Sequence, residues 1–324
     1  MLLSLGDALI DFLPVMAADG RAAVRPMVGG SCYNIAVGMA RLGAPSGFIG
    51  GISTDLFGRM IEEHAAASKV DLRFATRSAH QTKLAFVSLI GGQPRYAFYD
   101  ENTASRNWSY RRGAIPFAAI DAIHLGSTTL VDAKGLPHAL ALLEEAGGLA
   151  TIALDPNCRP SLVADKARYR DGIDAFANAA AIIKMSDADF DYLYGGDDYA
   201  AKAKSMLRAG AKLVVVTRGD RGALAWHAQA GALEIAAQHA EVVDTVGAGD
   251  SFQAALLFAL RAIGRIEASA LAKANADELN RVLSFAATCA ALTCTRAGAD
   301  PPHRTDVTTA LSALLEPPSQ TGVA

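Results

Sequence analysis

The chain has 324 residues, 51% hydrophobic and 19% charged, which fits about two domains, or one large α/β domain with an appendage, and excludes extended disorder. Thirty basic against 33 acidic side chains give a net charge of -3, so no positive surplus exists for a nucleic-acid backbone or an anionic membrane. The cysteines Cys32, Cys158, Cys289 and Cys294 have neither redox-motif nor zinc-site spacing, and the histidines form no close cluster, so reduced thiols and no structural metal are expected.

Residues 2–5 open the chain as a short apolar strand. The N-terminus lacks a basic stretch and carries Asp7 and Asp11 within its apolar run, unlike a secretory signal. The longest run without a charged side chain, 26–40, is Gly-rich and shorter than the ~20 residues a membrane-spanning helix needs. A soluble cytoplasmic protein is expected. Residues 34–42 read as a helix stopped by Gly43-Ala44-Pro45, 47–52 as a strand and 56–67 as a second helix. The strands 82–90 and 95–99 are joined by Gly91-Gly92-Gln93-Pro94, a hairpin signal with no helix between them. With 9–15 and 22–27 they are assigned to a small second sheet, a discontinuous lid over about 9–27 and 82–100. Beyond residue 120 the strands 122–125, 150–154, 181–184 and 213–217 alternate with helical runs such as 136–146 and 200–209. That rhythm predicts a doubly wound, mostly parallel sheet with helices on both faces, in one domain over 1–316 followed by a tail at 317–324.

The most informative segment is Asp244-Thr245-Val246-Gly247-Ala248-Gly249-Asp250-Ser251-Phe252, followed by the apolar helical run 253–260. Glycines ahead of a helix leave backbone amides open at the positive end of its dipole, a site for an anion of phosphate size. Asp250, in the first turn, is placed to accept a proton from a hydroxyl attacking a phosphoryl group held there. Taken alone the same residues are also a helix cap and a turn. A dinucleotide fingerprint is disfavoured because its third glycine would fall on Phe252.

This segment resembles the C-terminal signature of the ribokinase-like, or PfkB, carbohydrate kinases. Gly29-Gly30-Ser31-Cys32-Tyr33-Asn34 with the helix after it, and Gly50-Gly51-Ile52-Ser53-Thr54-Asp55-Leu56-Phe57-Gly58, resemble the N-terminal signature, so the likeness runs nearly full length. It implies the ribokinase-like fold and ATP-dependent phosphorylation of a sugar. Asp250 is then the general base, and the amides of Gly247, Ala248 and Gly249 hold the transferred phosphoryl. Asp11, Gly29, Gly30 and Asn34 match sugar-binding positions. Asp155-Pro156-Asn157-Cys158-Arg159 resembles an element of the fructokinase and ketodeoxygluconate kinase branches, with Arg159 on the phosphate charge and Asn157 on the nucleotide side together with Lys184. Thr217, Gly219 and Gly222 fit the family's nucleotide loop, although a plain hairpin explains them nearly as well. Gly298, in Arg296-Ala297-Gly298-Ala299, fits its adenine-side loop.

The resemblance further implies Mg2+ with the ATP, positioned through water by Asp189, where Ser186 and Asp189 stand in for an Asn and a Glu. It also implies K+ beside Asp244 and the Val246 carbonyl. Residues 86–89 and 96–106 resemble bacterial fructokinases, with Tyr99 and Arg106 as candidate sugar contacts, so fructose is the leading acceptor and ketodeoxygluconate or a pentose the alternative. A non-catalytic sugar sensor on the same fold is the reading from another class, and an NAD-dependent oxidoreductase is disfavoured by the missing glycine. The lid's exposed strand edges predict a homodimer.

Overall fold

The computed structural model describes residues 1–90, 93–130 and 134–316, so the hairpin turn at Gly91-Gly92 and the tail at 317–324 lie outside the described residues. The chain enters through β1 (Leu2–Leu5), fully buried, and leaves it for the antiparallel pair β2 (Leu9–Met16) and β3 (Ala22–Gly29). Next come α1 (Ser31–Arg41), β4 (Ser46–Ile49), β5 (Gly51–Ser53), α2 (Leu56–Ala67) and β6 (Thr76–Ser78). The antiparallel strands β7 (Lys83–Ile90) and β8 (Gln93–Tyr99) follow. From β9 (Ala122–Gly126) strands and helices alternate through α3 (Gly135–Ala146), β10 (Thr151–Asp155), α4 (Lys166–Ala179) and β11 (Ile182–Ser186). Helices α5 (Asp187–Tyr194) and α6 (Tyr199–Ala209) lead to β12 (Leu213–Thr217) and the strands β13 (Ala223–His227) and β14 (Gly231–Ile235). The chain then runs through α7 (Ala248–Ala262), α8 (Ala268–Leu271), α9 (Ala276–Cys294) and α10 (Thr308–Leu315).

The large sheet has the order β14-β13-β12-β11-β10-β9-β1-β4; its pairings are parallel from β4 to β12, and β13 and β14 add an antiparallel edge. Period-two alternation splits the central strands between two cores. Leu2, Ala122, Ala153 and Ile182 join Ile35, Leu256 and Leu283 of α1, α7 and α9 on one side. Leu3, Ile123, Ile152 and Ile183 join Leu142, Phe176 and Phe190 of α3, α4 and α5 on the other. The doubly wound fold expected from the sequence is therefore present.

Two details depart from it. The strand expected at 47–52 is two strands: β4 lies in the large sheet, while β5 pairs with β6, which periodicity did not single out. They part at Gly50, where a Cβ would sit 2.4 Å from the Gly6 carbonyl and 2.6 Å from the Phe48 ring. The run at 213–217 also continues into its own antiparallel hairpin.

The small sheet has the order β3-β2-β7-β8, with Asp11 level with Ala85 and Ala85 level with Phe98. One face therefore carries Asp11, Lys83, Ala85, Tyr96 and Phe98, and the other Phe12, Leu84, Phe86 and Tyr99. On the second face Phe12 stacks on Phe86 at 4.6 Å and Tyr99 meets Phe86 edge-on at 5.4 Å.

Candidate active site

Helix α7 starts at Gly247, whose φ of 80° and contact with Ala299, 2.7 Å from any added Cβ, admit only glycine. The Ser251 amide bonds the Gly247 carbonyl at 2.8 Å, and the Ala248 amide the Thr245 carbonyl at 3.3 Å. The amides of Gly247, Gly249 and Asp250 keep no hydrogen-bond partner among the described residues, which leaves the first turn able to receive an anion. Of the expected amides, those of Gly247 and Gly249 are open, that of Ala248 is engaged in the turn, and the Asp250 amide is open beside them.

Asp250 is 7% exposed. Its Oδ1 accepts from Ser31 Oγ at 2.7 Å and its Oδ2 from Asn34 Nδ2 at 2.9 Å. Ser31 and Asn34 lie in the first turn of α1, so the positive ends of two helices converge on one carboxylate. The Asn34 amide group thus holds the Asp250 carboxylate together with Ser31, two contacts that the sequence alone did not indicate.

Asp11 faces this centre from the small sheet. Gly29 makes room for it, since a Cβ there would lie 2.2 Å from Asp11 Oδ2. Gly30 caps α1 with φ 107°. Burial pushes the Asp11 pKa up to about 7; the Arg159 charge opposes this, Asp250 adds to it and Lys83 opposes it. Arg159 follows β10 and donates to the carbonyls of Asn157 and Cys158 at 3.2 and 3.0 Å. Burial raises the Tyr96 pKa, and charges on Asp11, Arg159, Asp244 and Asp250 act on the same phenol. Asp11, Tyr96, Arg159 and Asp250 therefore lie within reach of one another's charge, on the Asp11 face of the small sheet and the start of α7.

Tyr99 and Arg106 do not join this group. Tyr99 is 64% exposed on the opposite face of the small sheet. Arg106 is paired to Asp100 through Nη2 at 2.7 Å and Nε at 2.8 Å. Both line a separate cavity of about 670 Å3 beside the edge strand β8. Asp100 also meets Lys83, whose buried Nζ lies 2.8 Å from Asp7 Oδ2, 3.0 Å from Asp100 Oδ2 and 2.8 Å from Thr128 Oγ1. One ammonium thus ties together the three chain segments at the root of the small sheet.

Lys184, expected on the nucleotide, is 2% exposed. Its Nζ lies 2.7 Å from Asp155 Oδ2 and 3.2 Å from the Gly249 carbonyl, beneath the first turn of α7. Burial pulls its pKa down, but Asp155, then Asp189 and Asp250, outweigh burial and leave it raised. Burial also lifts Asp155, to about 6, against the pull of Lys184. Asp189 is likewise built into the protein: Oδ1 accepts from the Cys158 amide at 2.7 Å, and Oδ2 from Ser186 Oγ at 2.7 Å in a capping box of α5. It fastens the 155–159 loop to α5. Among the described residues no group of three or more His, Cys, Asp or Glu side chains is placed to hold a metal ion.

Asn157 adopts φ 41° and has a buried Oδ1 without a partner, an acceptor left for a ligand. Asp244 Oδ1 accepts from the Val246 amide at 3.0 Å and Oδ2 from the Gly298 amide at 2.8 Å, joining the loop before α7 to that after α9. Thr217 and Gly219 lie at the carboxyl end of β12, and Gly219 (φ 58°) faces open space. Gly222 does not: a Cβ there would meet the Ile235 carbonyl at 2.0 Å, so its role is to let β14 pass. A carboxylate beside open amides, under a facing sheet, is equipped to deprotonate a hydroxyl next to a bound anion.

A model of the pfkB family of carbohydrate kinases matches residues 1–306. The fructokinase of Rhizobium leguminosarum bv. trifolii is 37% identical over 263 residues, covering 81% of this chain and 80% of the relative. That of Klebsiella pneumoniae is 34% identical over 301 residues, covering 91% and 93%. A solved fructokinase with bound ATP from Xylella fastidiosa superposes with a TM-score of 0.83 at 26% identity, covering 97% of each chain.

Proposed function

Because the chain belongs to the pfkB family of carbohydrate kinases, we propose that it is an ATP-dependent fructokinase, converting D-fructose and ATP to D-fructose 6-phosphate and ADP. The observation that carries the mechanism is the Asp250 carboxylate, fixed by Ser31 and Asn34 beside the open amides of Gly249 and Asp250. As the sugar hydroxyl oxygen bonds to the γ-phosphorus, its proton passes to Asp250, and the bond to the β–γ bridging oxygen breaks to leave ADP. Positioning and charge stabilisation supply most of the acceleration, which suits a site of preset donors. Asp11 accepts sugar hydroxyls, Tyr96 closes over the sugar, and Arg159 offsets phosphate charge.

ATP enters as its magnesium complex, a substrate whose ion is carried by the phosphates. A potassium ion beside Asp244 and the Val246 carbonyl suits the hard oxygen donors there, and turnover should fall when a bulky organic cation replaces potassium. The small sheet acts as a lid that excludes water, so saturating sugar should change the ATPase rate. Its outer face, with Phe86 36% and Tyr99 64% exposed, is where a second copy docks, which sedimentation of a Phe86→Ser, Tyr99→Ser variant tests.

The deciding experiment is coupled ADP release with MgATP across fructose, glucose, mannose, ribose and ketodeoxygluconate, with Asp250→Asn as control. Fructose-dependent turnover lost in the control is expected. Turnover with another acceptor alone keeps the kinase and rejects fructose, and sugar binding without any transfer favours a sensor.

A further inference from the structure

We propose that the buried Lys184–Asp155 ion pair is a positioning device that sets and polarises the first turn of α7, rather than a nucleotide ligand or a source of stability. The proposal rests on the kinase reading above.

The two side chains are 3% and 0% exposed. A buried ion pair is a weak stabiliser, because desolvation of both ions offsets their attraction and a well-packed apolar pair often does as well. What distinguishes this pair is where the cation points. Nζ bonds the Gly249 carbonyl at 3.2 Å, and that carbonyl shares its peptide group with the Asp250 amide, one of the open donors of the anion hole. A cation on the oxygen of a peptide group strengthens its N-H as a donor. The same contact fixes the backbone on both sides of the base.

Two further observations point the same way. A Cβ on Gly249 would lie 3.1 Å from Lys184 Nζ, so the glycine leaves the ammonium its seat under the helix. Asp155, Asp189 and Asp250 all act on Lys184, and Asp11 acts with Asp250 across the cleft, so a polyanionic phosphate must enter a region dense in carboxylates. Lys184 cancels the charge of Asp155 and holds a positive end toward the incoming anion without occupying the cleft. Asp155 in turn keeps the ammonium from rotating away.

The test compares wild type with Lys184→Met and with the double variant Lys184→Met, Asp155→Leu, which replaces the pair by apolar side chains. Steady-state kinetics with fructose and MgATP are read beside the affinity for ADP alone and for ADP with aluminium fluoride and sugar, which imitates the transferring phosphoryl. Positioning predicts a kcat about 10- to 100-fold lower in both variants, with KM for ATP within about twofold. Affinity for the fluoride complex should fall in parallel while that for ADP holds. A folded double variant with wild-type kcat overturns the proposal, as does a raised KM for ATP at unchanged kcat, which would mark a nucleotide ligand. If neither variant folds, the pair is structural and the proposal falls. Absence of turnover in the wild type with every sugar instead defeats the kinase reading.

Discussion

Replacing Asp11 by Asn removes the most strongly displaced carboxyl group of the cleft, and its effect on stability has a definite sign. Burial holds the folded-state pKa near 7, against 3.8 for the ordinary group. Between those values the folded state binds a proton that the unfolded state has released, so stability falls with rising pH by up to about 1.4 kcal/mol per unit. This contribution is fully present below the unfolded value and lost as pH rises through about 7. Over the full interval it amounts to ~4 kcal/mol as an upper bound, and partial exposure of the side chain reduces it to ~2 kcal/mol. Asn carries no such dependence. Asp11→Asn should therefore match wild type at about pH 4 and exceed it by about 3 °C in unfolding temperature at about pH 8, using ~1.5 °C per kcal/mol for a chain of this size. The assay is thermal unfolding of both proteins across that pH range without sugar. Fructose affinity at about pH 8 should fall in the same variant, because the acceptor for the sugar hydroxyls is gone. A stability difference that does not grow with pH would refute the buried, cleft-facing placement of Asp11.

Lys83→Met should destabilise the protein by about 3–5 kcal/mol in urea titration, because it leaves Asp7 and Asp100 buried without their shared cation, and lid closure should suffer with it. Tyr96→Phe should raise KM for fructose several-fold, whereas Tyr99→Phe should leave it unchanged, since the two phenols lie on opposite faces of the small sheet. The reverse result, with Tyr99→Phe raising KM and Tyr96→Phe leaving it unchanged, would mean that the register of β8 is wrong. Asp250→Asn should lower kcat by at least ~10^3 while sugar binding stays measurable by calorimetry.

The elements that local chemistry dictates were legible in the sequence. Continuous apolar runs such as Leu213–Thr217 mark strands buried on both faces, and Gly247-Ala248-Gly249-Asp250 marks a turn and a helix start, which need nothing distant to form. The partners of Asp250 were not legible. Ser31 and Asn34 lie 219 and 216 residues away along the chain, and both suit the start of α1 well enough to hide a second use. The exchange of Tyr99 for Tyr96 has the same origin: residues three apart on a strand always face opposite ways, and only the pairing of Ala85 with Asp11 and Phe98 decides which faces the cleft.

A usable signal did exist for the two buried lysines. Lys184 interrupts an otherwise apolar strand, Ile182–Ser186, in which Ile183 and Met185 pack toward α3–α6 and Ile182 toward α7. Its parity with Ile182 aims it at the α7 side, where the Gly247-Ala248-Gly249 turn opens that helix. An ionised group on the buried face of a central strand must find a countercharge, and Asp155 stands at the end of the neighbouring strand. Lys83 obeys the same rule at the root of the small sheet, where Asp7 and Asp100 flank the strands that leave and return. In both places the charge in an apolar strand identifies a joint between the catalytic elements, which is why substitutions there should change turnover or closure before they change the fold's outline.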